Sequence, residues 1–114
     1  MPLSGAHLTR IGDGDFLLEP TRSLDIANSD PLIEAILSQI HVGKGRRLYY
    51  DLSELALIDR VYYHWMKTLA RACQMVNVQM VCIHMQPTAA FALSQFLQEA
   101  PPFICALDVD KVKL

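Results

Sequence analysis

Leu48-Tyr49-Tyr50-Asp51-Leu52-Ser53-Glu54-Leu55-Ala56-Leu57-Ile58-Asp59-Arg60 is the stretch on which the fold turns. Its first part is apolar and stops at an acid, which predicts a buried strand over 47–52. A short connection follows. Asp59 then opens a long helix, predicted over 59–76, where its carboxylate can accept from the free N–H groups of the first turn. Val61, Tyr62, Trp65, Met66, Leu69 and Cys73 fall on the apolar side of that helix. Lys67, Arg71 and Gln74 can face water, and Tyr63 and His64 are expected to point outward.

Upstream, residues 7–11 alternate apolar and polar, as a half-buried strand does. Gly12-Asp13-Gly14-Asp15 reads as a turn, and residues 16–19 as a second short strand ended by Pro20. A first helix is predicted from Asp30-Pro31, with Asp30 as cap and Pro31 in the first turn. Leu32, Ile33, Ile36, Leu37 and Ile40 give it an apolar stripe, and Gly43 a stop. Downstream, residues 78–83 are nearly all apolar, which suits a strand covered on both faces. Gln86-Pro87-Thr88 opens a helix packed through Phe91, Leu93, Phe96 and Leu97, and Pro101-Pro102 stops it. Residues 103–106 form a last short strand, and Asp108 can cap a helix over 109–113. Strands alternating with helices predict an α/β fold with parallel pairs.

The chain has 114 residues, which fits one domain spanning 1–114. Its hydrophobic fraction of 52% is enough for a real core. A net charge of -2 without blocks of like charge argues against a nucleic-acid or anionic-membrane partner. No apolar run reaches the roughly 18–20 residues that span a bilayer. The first residues lack the basic-then-apolar pattern of a signal peptide. Cys73, Cys82 and Cys105 lack Cys-x-x-Cys spacing and sit in apolar segments, so they are expected as reduced, buried thiols in a cytoplasm.

Chemistry-bearing patterns are few. His7, His41, His64 and His84 do not stand at metal-ligand spacing, so no metal and no cofactor is expected. Gly43-Lys44-Gly45 lacks the flanking residues of a phosphate loop, and Asp13-Gly14-Asp15 the remaining ligands of a calcium loop. No nucleophile stands beside an evident base, so no catalytic residue is assigned. Asp51 and Asp59 flank one connection and could do acid–base work if one carboxyl were raised. The simpler reading has Asp51 organise a turn and Asp59 cap the helix.

These residues resemble the STAS domains of anti-anti-sigma factors, and among them the small stressosome scaffold proteins of the RsbS type. The family pattern is an apolar strand ending in Asp-Leu-Ser/Thr, then Ile-Asp-Ser/Thr opening a helix. It stands here as Tyr50-Asp51-Leu52-Ser53 and Leu57-Ile58-Asp59-Arg60. An apolar strand running into a Gln-Pro helix start appears as Val81 to Thr88, and the closing motif as Ala106-Leu107-Asp108. The likeness covers the chain from about Gly14 to the C-terminus.

The resemblance implies a STAS (SpoIIAA-like) fold, a mixed sheet of four to five strands with helices mainly on one side. It implies a regulatory domain rather than an enzyme. The implied partner is an anti-sigma factor or switch kinase of the kinase-like ATPase fold, with assembly among STAS paralogues or copies of the chain. Asp59, Arg60, Val61, Tyr63 and His64 are the implied contact residues, supported by Asp51 and Ser53. Family members usually carry a phosphorylatable Ser or Thr where this chain has Arg60. Arg60 has no hydroxyl, and its positive charge does not mimic phosphate. Ser23, Ser29 and Ser53 are alternative phospho-acceptors, Ser23 and Ser29 lying in the loop before the first helix. A second reading is a STAS module binding a small molecule, lipid or nucleotide, with Met66, Met75, Met80 and Met85 lining an adaptable pocket.

Overall fold

Eight elements follow one another: β1 (Ala6–Gly12), β2 (Asp15–Pro20), α1 (Ser29–Val42), β3 (Arg47–Asp51), α2 (Arg60–Met75), β4 (Gln79–Ile83), α3 (Pro87–Ser94) and β5 (Ile104–Ala106). The structure is a computed structural model that describes residues 3–95 and 97–109. The strands form one sheet in the order β1-β2-β3-β4-β5. β1 and β2 are antiparallel, and the other neighbours are parallel. The hairpin turns at Asp13-Gly14, where Gly14 takes a φ of 82° that suits glycine. Each parallel pair needs a crossover, and α1, α2 and α3 supply them.

Successive strand residues point to opposite faces, and the two faces are filled differently. Phe16, Leu18, Leu48, Tyr50, Met80 and Cys82 share one cluster with residues of all three helices. Ile36 and Ile40 come from α1, Trp65, Met66 and Leu69 from α2, Ala89 and Leu93 from α3. Tyr49, Val81 and Ile83 form the opposite face with Leu17, Ile104, Ala106 and Val109. This is the mixed sheet with helices mainly on one side that the resemblance implies. Burying one side chain the size of Leu69 or Met66 is worth about 1.5–3 kcal/mol, so α2 is held mainly by this face.

The helical cluster holds one polar network. Trp65 Nε1 donates to the Tyr50 hydroxyl at 2.9 Å, and the Tyr50 and Tyr62 hydroxyls lie 2.5 Å apart. Burial pushes the Tyr50 phenol well above its ordinary range and raises Tyr62 as well. The network therefore stays neutral and joins the start of α2 to the centre of the sheet.

Several expectations need correction. α1 starts at Ser29 with Asn28 in the cap position, so Asp30 lies inside the first turn. Pro31 still costs no hydrogen bond, because the first four N–H groups of a helix have no intrahelical acceptor. Phe91 is 70% exposed, because the short α3 buries Ala89 and Leu93 instead. Cys73 and Cys82 are buried, but Cys105 is exposed. Burial alone pushes the Cys73 thiol up to about 12. Phe96 and residues 110–113 of the expected terminal helix lie outside the described residues.

Candidate functional site

The connection from Asp51 to Arg60 lies at the C-terminal end of the parallel strands, between β3 and α2. Leu52 and Ile58 are fully buried and anchor it from inside. Leu52 N–H donates to the Ile83 carbonyl at 2.9 Å, and Leu55 N–H to the Leu52 carbonyl at 3.0 Å. Asp51 closes the first turn by accepting from Ser53 N–H at 2.9 Å. Asp59 caps α2 by accepting from Tyr62 N–H at 2.8 Å. Replacing such a cap with Ala costs about 1 kcal/mol.

The segment after β4 braces this loop from the side. Gln86 Nε2 donates to the Ser53 carbonyl at 2.7 Å, and the Thr88 hydroxyl donates to the Ala56 carbonyl. His84 Nδ1 lies 3.1 Å from Asp51 Oδ1. The His84 backbone has a φ of 59°, in the left-handed region, and its N–H donates to the Leu107 carbonyl at 3.2 Å. The turn after β4 thus sets its ring against β3. Sequence reasoning missed these braces. Gln86 and Thr88 read as a helix start, and no local signal pairs them with residues 53 and 56.

The carboxyl of Asp51 answers to opposing influences. Burial raises it, but hydrogen bonds from the Ser53 N–H and hydroxyl, and then His84, together outweigh burial and hold it below the usual carboxylate range. A general acid at neutral pH needs the opposite shift, so Asp51 does not fit the acid half of the acid–base idea. Among the described residues, no cluster of three or more His, Cys, Asp or Glu could hold a metal ion.

The implied contact residues separate into two groups. Asp59, Arg60, Val61 and His64 are exposed around the first turn of α2. Arg60 is the first helical residue, where a cation opposes the helix dipole at a cost of about 0.3–1 kcal/mol. Val61, expected on the apolar side, is 66% exposed. Tyr63, expected to point outward, is 7% exposed. Its ring meets Phe103 edge-on at 6.2 Å, and Lys67 Nζ lies 4.9 Å from its centroid. Tyr63 belongs to the core flank and not to the presented surface. Leu57, 61% exposed, is a neighbour of that surface that the sequence did not single out.

The alternative acceptors sit apart from one another. Ser53 is exposed on the braced loop. Ser23 is exposed, with its hydroxyl 2.9 Å from that of Thr21. Ser29 is the first residue of α1 and not part of the preceding loop. The four methionines do not gather round one cavity. Met66 and Met80 are core residues, and Met75 is 85% exposed. No described helix is long and apolar enough to cross a membrane.

No protein-family model and no curated protein sequence matches the chain. Solved structures do share its fold. RsbS of Moorella thermoacetica, solved in a Ser-to-Glu form, matches with a TM-score of 0.73 at 19% identity, over 95% of this chain and 91% of that one. A chain in a structure of the stressosome, described there as a signal integration and transduction hub, matches with a TM-score of 0.67 at 17% identity, over 92% and 90%. The protein TM1081, solved by NMR, matches with a TM-score of 0.62 at 15% identity, over 75% and 69%. The chain therefore has the STAS-type α/β fold found in RsbS and in the stressosome.

Proposed function

We propose that the chain is a single, non-catalytic STAS domain of the bacterial cytoplasm that acts as a regulatory scaffold. It binds an anti-sigma factor or switch kinase of the kinase-like ATPase fold through the start of α2. The observation that carries this reading is the form of the β3–α2 junction. Leu57 and Asp59 in the loop and Arg60 and Val61 in the first turn of α2 are exposed, and the loop is held by the side chains of His84, Gln86 and Thr88. Such bracing lowers the ordering cost of binding.

Arg60 fixes the charge at the position where STAS regulators are usually phosphorylated. It favours a carboxylate on the partner, and it leaves the contact insensitive to a Ser/Thr kinase acting there. Co-purification with any kinase-fold ATPase encoded beside it tests the reading. Arg60→Glu should weaken that complex at least tenfold, while Arg60→Ser should create a site that the kinase modifies. Binding unchanged by Arg60→Glu, or no binding to any such neighbour, overturns it.

A further inference from the structure

Along the flank of α2 lies a cavity that partner binding at the first turn does not use. Its volume is about 410 Å³, within the range of small-molecule sites, about 300–1,000 Å³. Tyr63, Lys67 and Arg71 of α2 line one side, and Gln98, Glu99 and Pro102 of the connection from α3 to β5 line the other. Residues 63, 67 and 71 recur at intervals of four, which puts them on one face of the helix. Neither Arg60 nor Val61 lines the cavity, and none of the four methionines expected around a ligand does so.

Two cations share this cavity with one acid. Lys67 Nζ lies 4.9 Å from the centroid of the Tyr63 ring, which gives the ammonium a fixed place. Arg71 stands one turn further on, and like charges at this spacing repel each other. Among the described residues, neither Lys67 nor Arg71 forms an ion pair with Glu99 or any other carboxylate. α2 itself contains no Asp or Glu. Burial raises the Tyr63 phenol, Arg71 lowers it and Glu99 raises it, so both charges act on the same wall. An anion seated between Lys67 and Arg71 relieves their repulsion. Two larger cavities are poorer in positive charge. One of about 480 Å³ offers Arg46, and one of about 700 Å³ offers Glu34 and no cation among the described residues.

We infer that this cavity binds a small hydroxylated phosphate monoester, a sugar phosphate being the type. The Lys67 ammonium, the Arg71 fork and the Gln98 amide supply donors for three terminal oxygens, more than the two oxygens of a carboxylate need. Pro102 and the Tyr63 ring provide apolar wall for the carbon skeleton. An ionised Glu99 accepts and cannot donate, so it selects a ligand with a hydroxyl to give. The same carboxylate repels the phosphate. Against Lys67 and Arg71 it leaves a formal excess of one positive charge, facing about -1.5 to -2 on the monoester. Glu99 therefore lowers affinity and raises selectivity. An occupant also ties α2 to the connection before β5. The inference does not rest on the partner reading, since the cavity is complete within one chain.

Titration of the full ¹⁵N-labelled chain, followed by NMR at constant ionic strength, tests this. Glucose 6-phosphate should shift the amide signals of residues 63–71 and 98–100 and saturate at millimolar concentration, and inorganic phosphate should bind more weakly. Arg71→Gln and Lys67→Met should each weaken glucose 6-phosphate about tenfold, as loss of one charge-assisted contact does. Lys67 is half-buried, and Met keeps its apolar stem against Tyr63, so circular dichroism should find both variants folded. Glu99→Gln should act with two signs. It should tighten inorganic phosphate and narrow the preference for the sugar phosphate. No saturable shift at these residues, the same shifts from chloride, or binding that survives both Lys67→Met and Arg71→Gln overturns the assignment. So does a chain that floats with phosphatidylglycerol vesicles yet leaves glucose 6-phosphate unbound. A preference unchanged by Glu99→Gln overturns the selection of a hydroxyl.

Discussion

At the N-terminal end of β3 and β4 the turns are held by backbone hydrogen bonds, and at the C-terminal end side chains add to the backbone bonds. Gly45 N–H donates to the Ile40 carbonyl at 2.8 Å, and Arg46 and Arg47 N–H both reach the Gly14 carbonyl, at 2.7 and 3.0 Å. Val78 N–H meets the Cys73 carbonyl and Gln79 N–H the Arg46 carbonyl, each at 2.9 Å. At the other end, Asp51, Asp59, His84, Gln86 and Thr88 provide the ties through their side chains. Backbone bonds are indifferent to most substitutions, whereas side-chain bonds change with the residue. The C-terminal end is thus where substitution can retune a surface without rebuilding the sheet, as a partner-selective loop requires.

The largest expected effect breaks the tolerant end at its glycine. A Cβ on Gly45 would stand 2.5 Å from Ile40 Cγ2 and 2.9 Å from the Phe16 ring. Both neighbours are buried, so neither can move aside cheaply. Gly45→Val should cost about 2–3 kcal/mol in urea unfolding. A loss below about 0.5 kcal/mol would show that this end is looser than its hydrogen bonds indicate.

Tyr50→Phe comes next and attacks the tie between α2 and the sheet. It leaves Trp65 Nε1 buried without its acceptor, while Tyr62, half-buried, can turn to water. The expected cost is about 1–2 kcal/mol. Phe at position 50 fits the same space, so the effect isolates the hydrogen bonds. An unchanged Tm would mean that the network positions α2 without stabilising it.

The same contrast explains what could be read from the sequence. The strands from Phe16, Arg47 and Val78 and the body of α2 follow from local apolar periodicity. That signal needs only a dozen neighbouring residues. The caps and turns of Asp51 and Asp59 are equally local, because each carboxylate reaches an N–H two or three residues on. The braces are not local: they join residues 32 or 33 positions apart. Tyr63 was misplaced for a related reason. Periodicity gives the stripe that faces the sheet, but Phe103, forty residues downstream, folds against the flank of α2 and widens what is buried. Val61 lies at the edge of the apolar stripe, and periodicity alone does not show that it is exposed.

Acid should reach the side-chain end first. The Asp51 carboxyl sits below its ordinary range when folded, so its share of stability is complete above the unfolded value of about 3.9. That share is lost as pH falls through the lower folded value. Solvent reaches the site, so it amounts to about 0–1 kcal/mol. Asp51→Asn should cost most at pH 7, and the difference should shrink as the pH falls into the acid range, as read from urea melts across that range. A difference between the two proteins that does not change with pH would remove the carboxylate from the loop's stability.

The smallest effect gives the sharpest contrast, because one substitution should act with opposite sign at the two ends. Lys44 and His84 both hold left-handed backbone, with φ of 55° and 59°. A side chain there costs about 1–2 kcal/mol, and glycine's extra freedom in the unfolded chain returns about 0.5–1 kcal/mol of that. Lys44 hands the chain from α1 to β3 through its backbone, so Lys44→Gly should stabilise by about 0.5 kcal/mol. His84→Gly gains the same relief but loses the contact with Asp51, worth about 0.5–1.5 kcal/mol. It should leave stability unchanged or lower it. The two variants, melted side by side at pH 7, should therefore diverge. If both raise Tm equally, the His84 ring contributes nothing to the junction, and the bracing reduces to Gln86 and Thr88.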